Sequence, residues 1–102
     1  MDGIDLIAAE RQRQIDIEGW TPEHDDEHRL GQISRAAIAY ATRGFYQAYS
    51  NGKVVIDSAL GWPWDKAWFK PSPDPIRNLV KAGALIAAEI DRLQREFKKE
   101  EG

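Results

Sequence analysis

The densest run of chemically able side chains in the chain is His24-Asp25-Asp26-Glu27-His28. On a helix the two imidazoles stand four residues apart on one face, a spacing that lets both reach a single cation. With Asp26 from the same run and Glu89 from far downstream, His24 and His28 make a candidate divalent-metal set. The string also satisfies H-x-x-E-H, the pattern of inverted zinc peptidases. Those enzymes take a third ligand from a further helix, for which Glu89 and Asp91 are the carboxylates on offer. The same five residues read equally well as an acidic, solvated helical turn whose histidines pack locally, or as an acidic patch for a partner protein.

Two further groups bear chemistry. Trp62, Trp64, Trp68 and Phe69 alternate with Lys66 and Lys70, so flat rings that can stack a base lie beside ammonium groups that can meet its phosphates. The indoles can instead fill the gap between helices, since each buries a large apolar area. Arg77 and Lys81 stand one turn apart near the start of the last helix, suited to a phosphate or to pairing with the acidic segment. The candidate ligand-contact residues are therefore His24, Asp25, His28, Trp64, Arg77 and Lys81. No catalytic residue is assigned. The chain has no G-x-x-x-x-G-K-[ST] loop, no G-x-G-x-x-G and no G-x-S-x-G.

Three helices must position these groups. Ile4, Ile7, Ala8, Arg11 and Ile15 have helical spacing, and Gly19 suits a left-handed stop, which predicts a first helix over about Ile4–Glu18. Thr21-Pro22 reads as a cap followed by the first helical residue. A second helix is expected from Pro22, or from Asp25, to about Arg43, with an extension to Tyr49 ended by Ser50-Asn51-Gly52. Trp20 is expected to staple onto it.

Residues 50–74 read as an aromatic-rich crossover. Lys53–Ile56 is strand-like and can form a short hairpin with Phe45–Tyr49, and Asp65 can cap one helical turn carrying Trp68 and Phe69. Asp74-Pro75 opens the last helix, which closes at Lys98 and Lys99 with a frayed end beyond. The expected core comprises Leu6, Ile7, Ile15, Trp20, Leu30, Ile33, Ala37, Tyr40, Leu79, Val80, Ile86, Ile90 and Leu93. The fold class is all-α, in a single domain over 1–102.

Composition narrows the rest. The chain has 102 residues, 42% of them hydrophobic, with four Trp and no Cys. It therefore has neither disulfides nor a thiol nucleophile. Nine acids against two arginines before Arg29 give a local −7, and the remainder carries +4. The net −3 and pI near 5.3 speak against general nucleic-acid binding. No apolar run approaches the ~20 residues of a membrane span, and no secretory signal opens the chain, so the expected location is the cytosol. Small residues on the second and third helices permit close pairing, including across a homodimer.

Several blocks resemble a group of small phage and prophage proteins of uncharacterised function. They are Ala9-Glu10-Arg11-Gln12-Arg13-Gln14-Ile15, Glu18-Gly19-Trp20-Thr21-Pro22-Glu23-His24-Asp25-Asp26-Glu27-His28, Trp62-Pro63-Trp64 and residues 79–90. The resemblance implies a phage accessory protein acting in the host cytosol on a host protein or a small, nucleotide-like ligand. A remoter likeness is to all-α MazG-like nucleotide pyrophosphohydrolases, which bind magnesium through E-x-x-E and E-x-x-D pairs. It implies Glu23, Asp26, Glu89 and Asp91 as metal ligands with Arg77 or Lys81 on phosphate, although no E-x-x-E precedes Glu23-His24-Asp25-Asp26. Gly19-Trp20 followed by Asp25-Asp26 and His28 is faintly similar to the ryanodine-receptor-type repeat domain, which implies ligand binding. The expected function is non-enzymatic binding, with the pyrophosphohydrolase as the alternative.

Overall fold

The structure is a computed structural model that describes residues 1–49 and 61–101. Its described residues form helices α1 (Gly3–Asp16), α2 (Pro22–Asp25), α3 (Gln32–Tyr49) and α4 (Pro75–Glu101), with a single 3-10 turn at Lys66–Trp68. The protein is all-α, as expected, and no strand occurs among the described residues. None of its helices is long and apolar enough to cross a membrane.

Local chemistry sets each start. Asp2 accepts from the Asp5 amide at 2.9 Å while Asp5 accepts from the Asp2 amide at 3.4 Å, a reciprocal cap that begins α1 one residue before the expected position. Gly19 has φ +75°, the left-handed geometry glycine tolerates best, and turns the chain out of α1. Thr21 caps α2 by accepting from the His24 amide, with Pro22 in the first turn. Asp65 accepts from the Ala67 amide at 2.9 Å and caps the 3-10 turn. Asp74 accepts from the Ile76 amide at 2.9 Å, and α4 runs from Pro75 through the expected frayed end to Glu101.

The expected second helix is not continuous. It breaks between Asp25 and Gln32, because Gly31 adopts φ +80° and the Leu30 amide donates to the Gln32 side chain at 2.7 Å. Arg29 and Asp26, flanking the break, both reach α4, through Glu96 and Arg95. Leu30 is 84% exposed and is not a core residue. The hairpin fails on one side, since Phe45–Tyr49 is helical; Lys53–Ile56 and the Ser50-Asn51-Gly52 stop lie outside the described residues.

α3 and α4 run antiparallel, as two cross-links fix. Ser34 Oγ donates to Glu89 Oε2 at 2.8 Å near one end, and Asn78 Nδ2 donates to Gln47 Oε1 at 2.7 Å near the other. Small residues bring the two helices close, with Ala36, Ala37, Ala82 and Ala88 buried between Ile33, Tyr40 and Leu85. The small residues noted in the sequence are thus used within one chain. Trp62 closes this core edge-on to Tyr40, ring centroids 5.6 Å apart.

Of the remaining expected core, Val80 is buried, and Leu6, Ile7, Ile15, Trp20 and Leu93 are half-buried. Leu79, Ile86 and Ile90 are exposed. α4 buries instead the row containing Asn78, Ala82, Leu85, Glu89 and Arg92, whose polar members are all hydrogen-bonded.

Candidate functional site

The loop after α1, with Glu18 and Trp20, and α2, with His24 and Asp25, form one wall of an aromatic cleft. Arg11 of α1 donates to the Trp20 carbonyl and to Asp25 Oδ2, both at 3.1 Å, which ties the loop after α1 to α2. From the other side Arg95 of α4 donates to the Pro22 carbonyl at 3.2 Å and to Asp26 Oδ1 at 2.8 Å. A four-residue helix is too short to hold itself together, and these guanidinium groups fix it in place.

The cleft has a volume of about 490 Å³. Its floor is Ile33 and Leu85, and Trp20, Trp62, Trp64 and Trp68 stand around it. His24 and His28 lie on the rim, edge to face with centroids 5.0 Å apart, and His28 meets Trp64 at the same distance. Trp64 in turn packs edge-on to Trp62 at 5.2 Å, and Trp62 Nε1 donates to the Asp65 carbonyl at 3.0 Å. The result is a ladder of rings from the polar rim to the core. Its carboxylates are Glu18, Asp25 and Asp65.

Electrostatics follow from burial. Burial pushes the Asp25 carboxyl above the usual carboxylate range, although Arg11 and His24 pull it back. Burial, together with the neighbouring His24, lowers the His28 imidazole below its ordinary value. His28 therefore presents a neutral ring to the cleft at neutral pH.

A second pocket of about 190 Å³ adjoins this cleft and shares Glu18, Trp20 and Trp68 with it. Arg13, Lys70, Arg77 and Lys81 bring four cations to it against the carboxylates of Glu10 and Glu18. Glu10 is buried between α1 and α4, where it accepts from Arg13 Nε at 2.8 Å and from Arg77. Burial alone raises a carboxyl's pKa, but the two guanidinium groups outweigh it and hold Glu10 below the usual range. Lys81 Nζ donates to the Lys70 carbonyl at 2.8 Å and lies 5.5 Å from the centre of the Tyr40 ring. Burial and the neighbouring Arg77 lower the Lys81 pKa. Gln14 also lines the pocket, and its buried Oε1 has no hydrogen-bond donor among the described residues.

His24, Asp25, His28 and Trp64 thus line one cleft, while Arg77 and Lys81 line its neighbour. Arg77 pairs with Glu10 of α1 and not with the acidic segment after Trp20. Trp20 lines both pockets and packs against the core cluster that includes Ile33, Ala37 and Tyr40, residues of the expected second helix. Of the crossover indoles, Trp62 fills the core, Trp64 is half-buried and Trp68 is 63% exposed.

The metal set His24, Asp26, His28 and Glu89 is not assembled. Among the described residues no three His, Asp or Glu side chains are grouped to hold a metal ion. Glu89 instead accepts from Ser34 and from Arg92 Nε at 2.6 Å, and Asp26 is taken by Arg95. The same commitments remove Glu89 and Asp26 from the set of Glu23, Asp26, Glu89 and Asp91, whose other members are exposed.

Sequence reasoning did not single out Glu10, Arg13, Glu18 or Tyr40 as pocket residues. A buried carboxylate and a core tyrosine leave no local pattern of their own. Comparisons with protein-family models, with curated proteins and with solved structures find no match to this chain.

Proposed function

We propose that the protein is a non-enzymatic binding protein for a small nucleotide-like ligand, with the base in the aromatic cleft and the phosphates in the cationic pocket. The observation that carries this reading is the common wall. Glu18, Trp20 and Trp68 border both pockets, so one ligand can reach rings on one side and cations on the other.

Each part suits its share of the ligand. A base is a flat donor-bearing ring, matched by indole faces and by the carboxylates of Asp65 and Asp25. Phosphate oxygens match Arg77, Lys81, Lys70 and Arg13, and an anion there offsets the burial and the neighbouring Arg77 that lower Lys81. Exposed Trp68 supplies a ring with free area at the junction. The resemblance to phage and prophage proteins makes this an accessory role in a host cytosol.

Isothermal titration with nucleoside triphosphates, the matching nucleosides and inorganic pyrophosphate tests the reading. The whole nucleotide should bind more tightly than either part. Lys81→Ala should weaken nucleotide and pyrophosphate alike by roughly 10-fold, the value of one charge-assisted hydrogen bond. Trp64→Ala should weaken nucleotide and nucleoside by about 5–100-fold and leave pyrophosphate unaffected. No binding to any of the three ligand classes contradicts the reading. The pyrophosphohydrolase alternative requires pyrophosphate release with magnesium or manganese present; the pairing of Asp26 and Glu89 with arginines speaks against it.

A further inference from the structure

α4 carries two rows of residues at alternating spacings of three and four. One row, containing Asn78, Ala82, Leu85, Glu89 and Arg92, faces α3 and is buried. The other runs from Ile76 through Leu79, Ile86 and Ile90 to Phe97, and these five side chains are 46–61% exposed. The more apolar row therefore faces out, and the row that holds polar and charged residues faces in. For a helix folding alone against its own core this is the reverse of the expected order.

α3 extends the exposed row into a face. Ile38, Phe45 and Tyr49 are 64%, 52% and 80% exposed. The cross-links Ser34–Glu89 and Gln47–Asn78 set the antiparallel register, which puts Ile38 level with Ile86, Phe45 with Leu79 and Tyr49 with Ile76. On each helix the exposed row lies about a quarter-turn from the row facing the other helix. Because the helices run in opposite directions, rotation in the same sense brings both rows to one side of the pair. The opposite side is the one covered by Trp62, Phe69 and Trp20. None of these eight side chains is charged, and midway along the α4 row Ile7 of α1 meets Gly83 at the edge of the face.

We propose that this α3–α4 face binds a second copy of the chain, giving a twofold dimer whose interface is a four-helix layer. Its size fits. The face is about 30 Å long, two helices (about 20 Å) wide from Ile76 to Ile86 and one helix wide from there to Phe97, or on the order of 450 Å² per copy, the size of a small, concentration-dependent dimer interface. Its chemistry also fits. A face without charge resembles the apolar core of a homodimer interface, whereas partners that meet and part present more polar contact. Twofold pairing makes one apolar patch its own complement and closes the assembly at two copies. The ligand pockets lie on the other side of the helix pair and stay open in the dimer, so this inference does not depend on the proposed ligand.

The test is sedimentation equilibrium of the full chain from micromolar to millimolar concentration. The mass should rise to twice 11.6 kDa. The Ile86→Glu, Ile90→Glu double variant should halve that mass while keeping the helical circular dichroism of the parent. Should the double variant not fold, the single variant Phe97→Glu, near the end of the face, should raise the dimer dissociation constant at least 10-fold. A wild-type chain that stays monomeric throughout overturns the inference, as does a folded double or single variant that associates as the parent does. An assembly insensitive to these substitutions places the interface elsewhere and overturns it equally.

Discussion

The His28 imidazole stands edge-on to the Trp64 indole with ring centroids 5.0 Å apart, joining the acidic segment after Trp20 to the aromatic crossover. The contact turns two stretches that are separate in the sequence into one cleft wall. It also takes the His28 ring out of water on one side, which sets its proton affinity.

His28 should therefore titrate below the ordinary value of about 6.5 in the folded protein. A base whose folded pKa is depressed binds its proton more readily in the unfolded chain. Its neutral form costs nothing above that pH, and stability falls as pH drops through about 6.5 towards the folded pKa. Proton NMR of the imidazole checks the first part. Urea unfolding at a series of pH values checks the second, and His28→Gln should flatten the decline in this range.

Glu10→Gln should destabilise the protein by about 2 kcal/mol, since it leaves Arg13 and Arg77 without the carboxylate that joins α1 to α4. Both guanidinium groups keep partial contact with water, which holds the loss below that of a wholly buried pair. The folded Glu10 pKa is depressed, so its contribution is present above about 4.5 and lost as pH falls through the folded value. Chemical denaturation of parent and variant at neutral and acidic pH should show the difference shrinking with acid.

Gly44→Ala should cost more than Gly83→Ala. A Cβ at Gly44 would lie 2.9 Å from Leu79 Cγ and 3.0 Å from the Pro75 carbonyl oxygen, and that backbone atom has no rotamer to change. At Gly83 the clash is with Ile7 Cδ1 at 2.6 Å, the free end of a side chain that can swing aside. Alanine gains about 1 kcal/mol of helix propensity at either site. Overpacking should outweigh that gain at Gly44, for a net loss of about 1–2 kcal/mol, and leave Gly83 near neutral. Thermal unfolding of the two variants decides it.

The helical class and the caps at Thr21, Asp65 and Asp74 were legible because each depends on neighbours within four residues. His24, Asp25, His28 and Trp64 were legible as separate candidates, but their convergence on one cleft was not. The break at Gly31 was not legible, because the apolar spacing continues across it from Leu30 to Ile33 and the α4 partners that hold the broken segment, Arg95 and Glu96, are more than sixty residues away. The burial of α4 was misread for a related reason. Two rows share its heptad spacing, and hydropathy alone selects the apolar one. The buried row depends on Ser34, Gln47 and Glu96 satisfying its polar members, which only the tertiary structure reveals. The metal set failed on the same point: arginines from α4 claim Asp26 and Glu89 before any cation can.

The binding account is tested most directly by the indole N–H resonances, since four tryptophans give four reporters within or beside the two pockets. On titration with a nucleoside triphosphate, the Trp64 and Trp68 signals should move furthest and saturate together with the backbone amides of Arg77 and Lys81. Signals that stay fixed at millimolar concentrations of every common nucleotide, or that move only at residues away from both pockets, would contradict it.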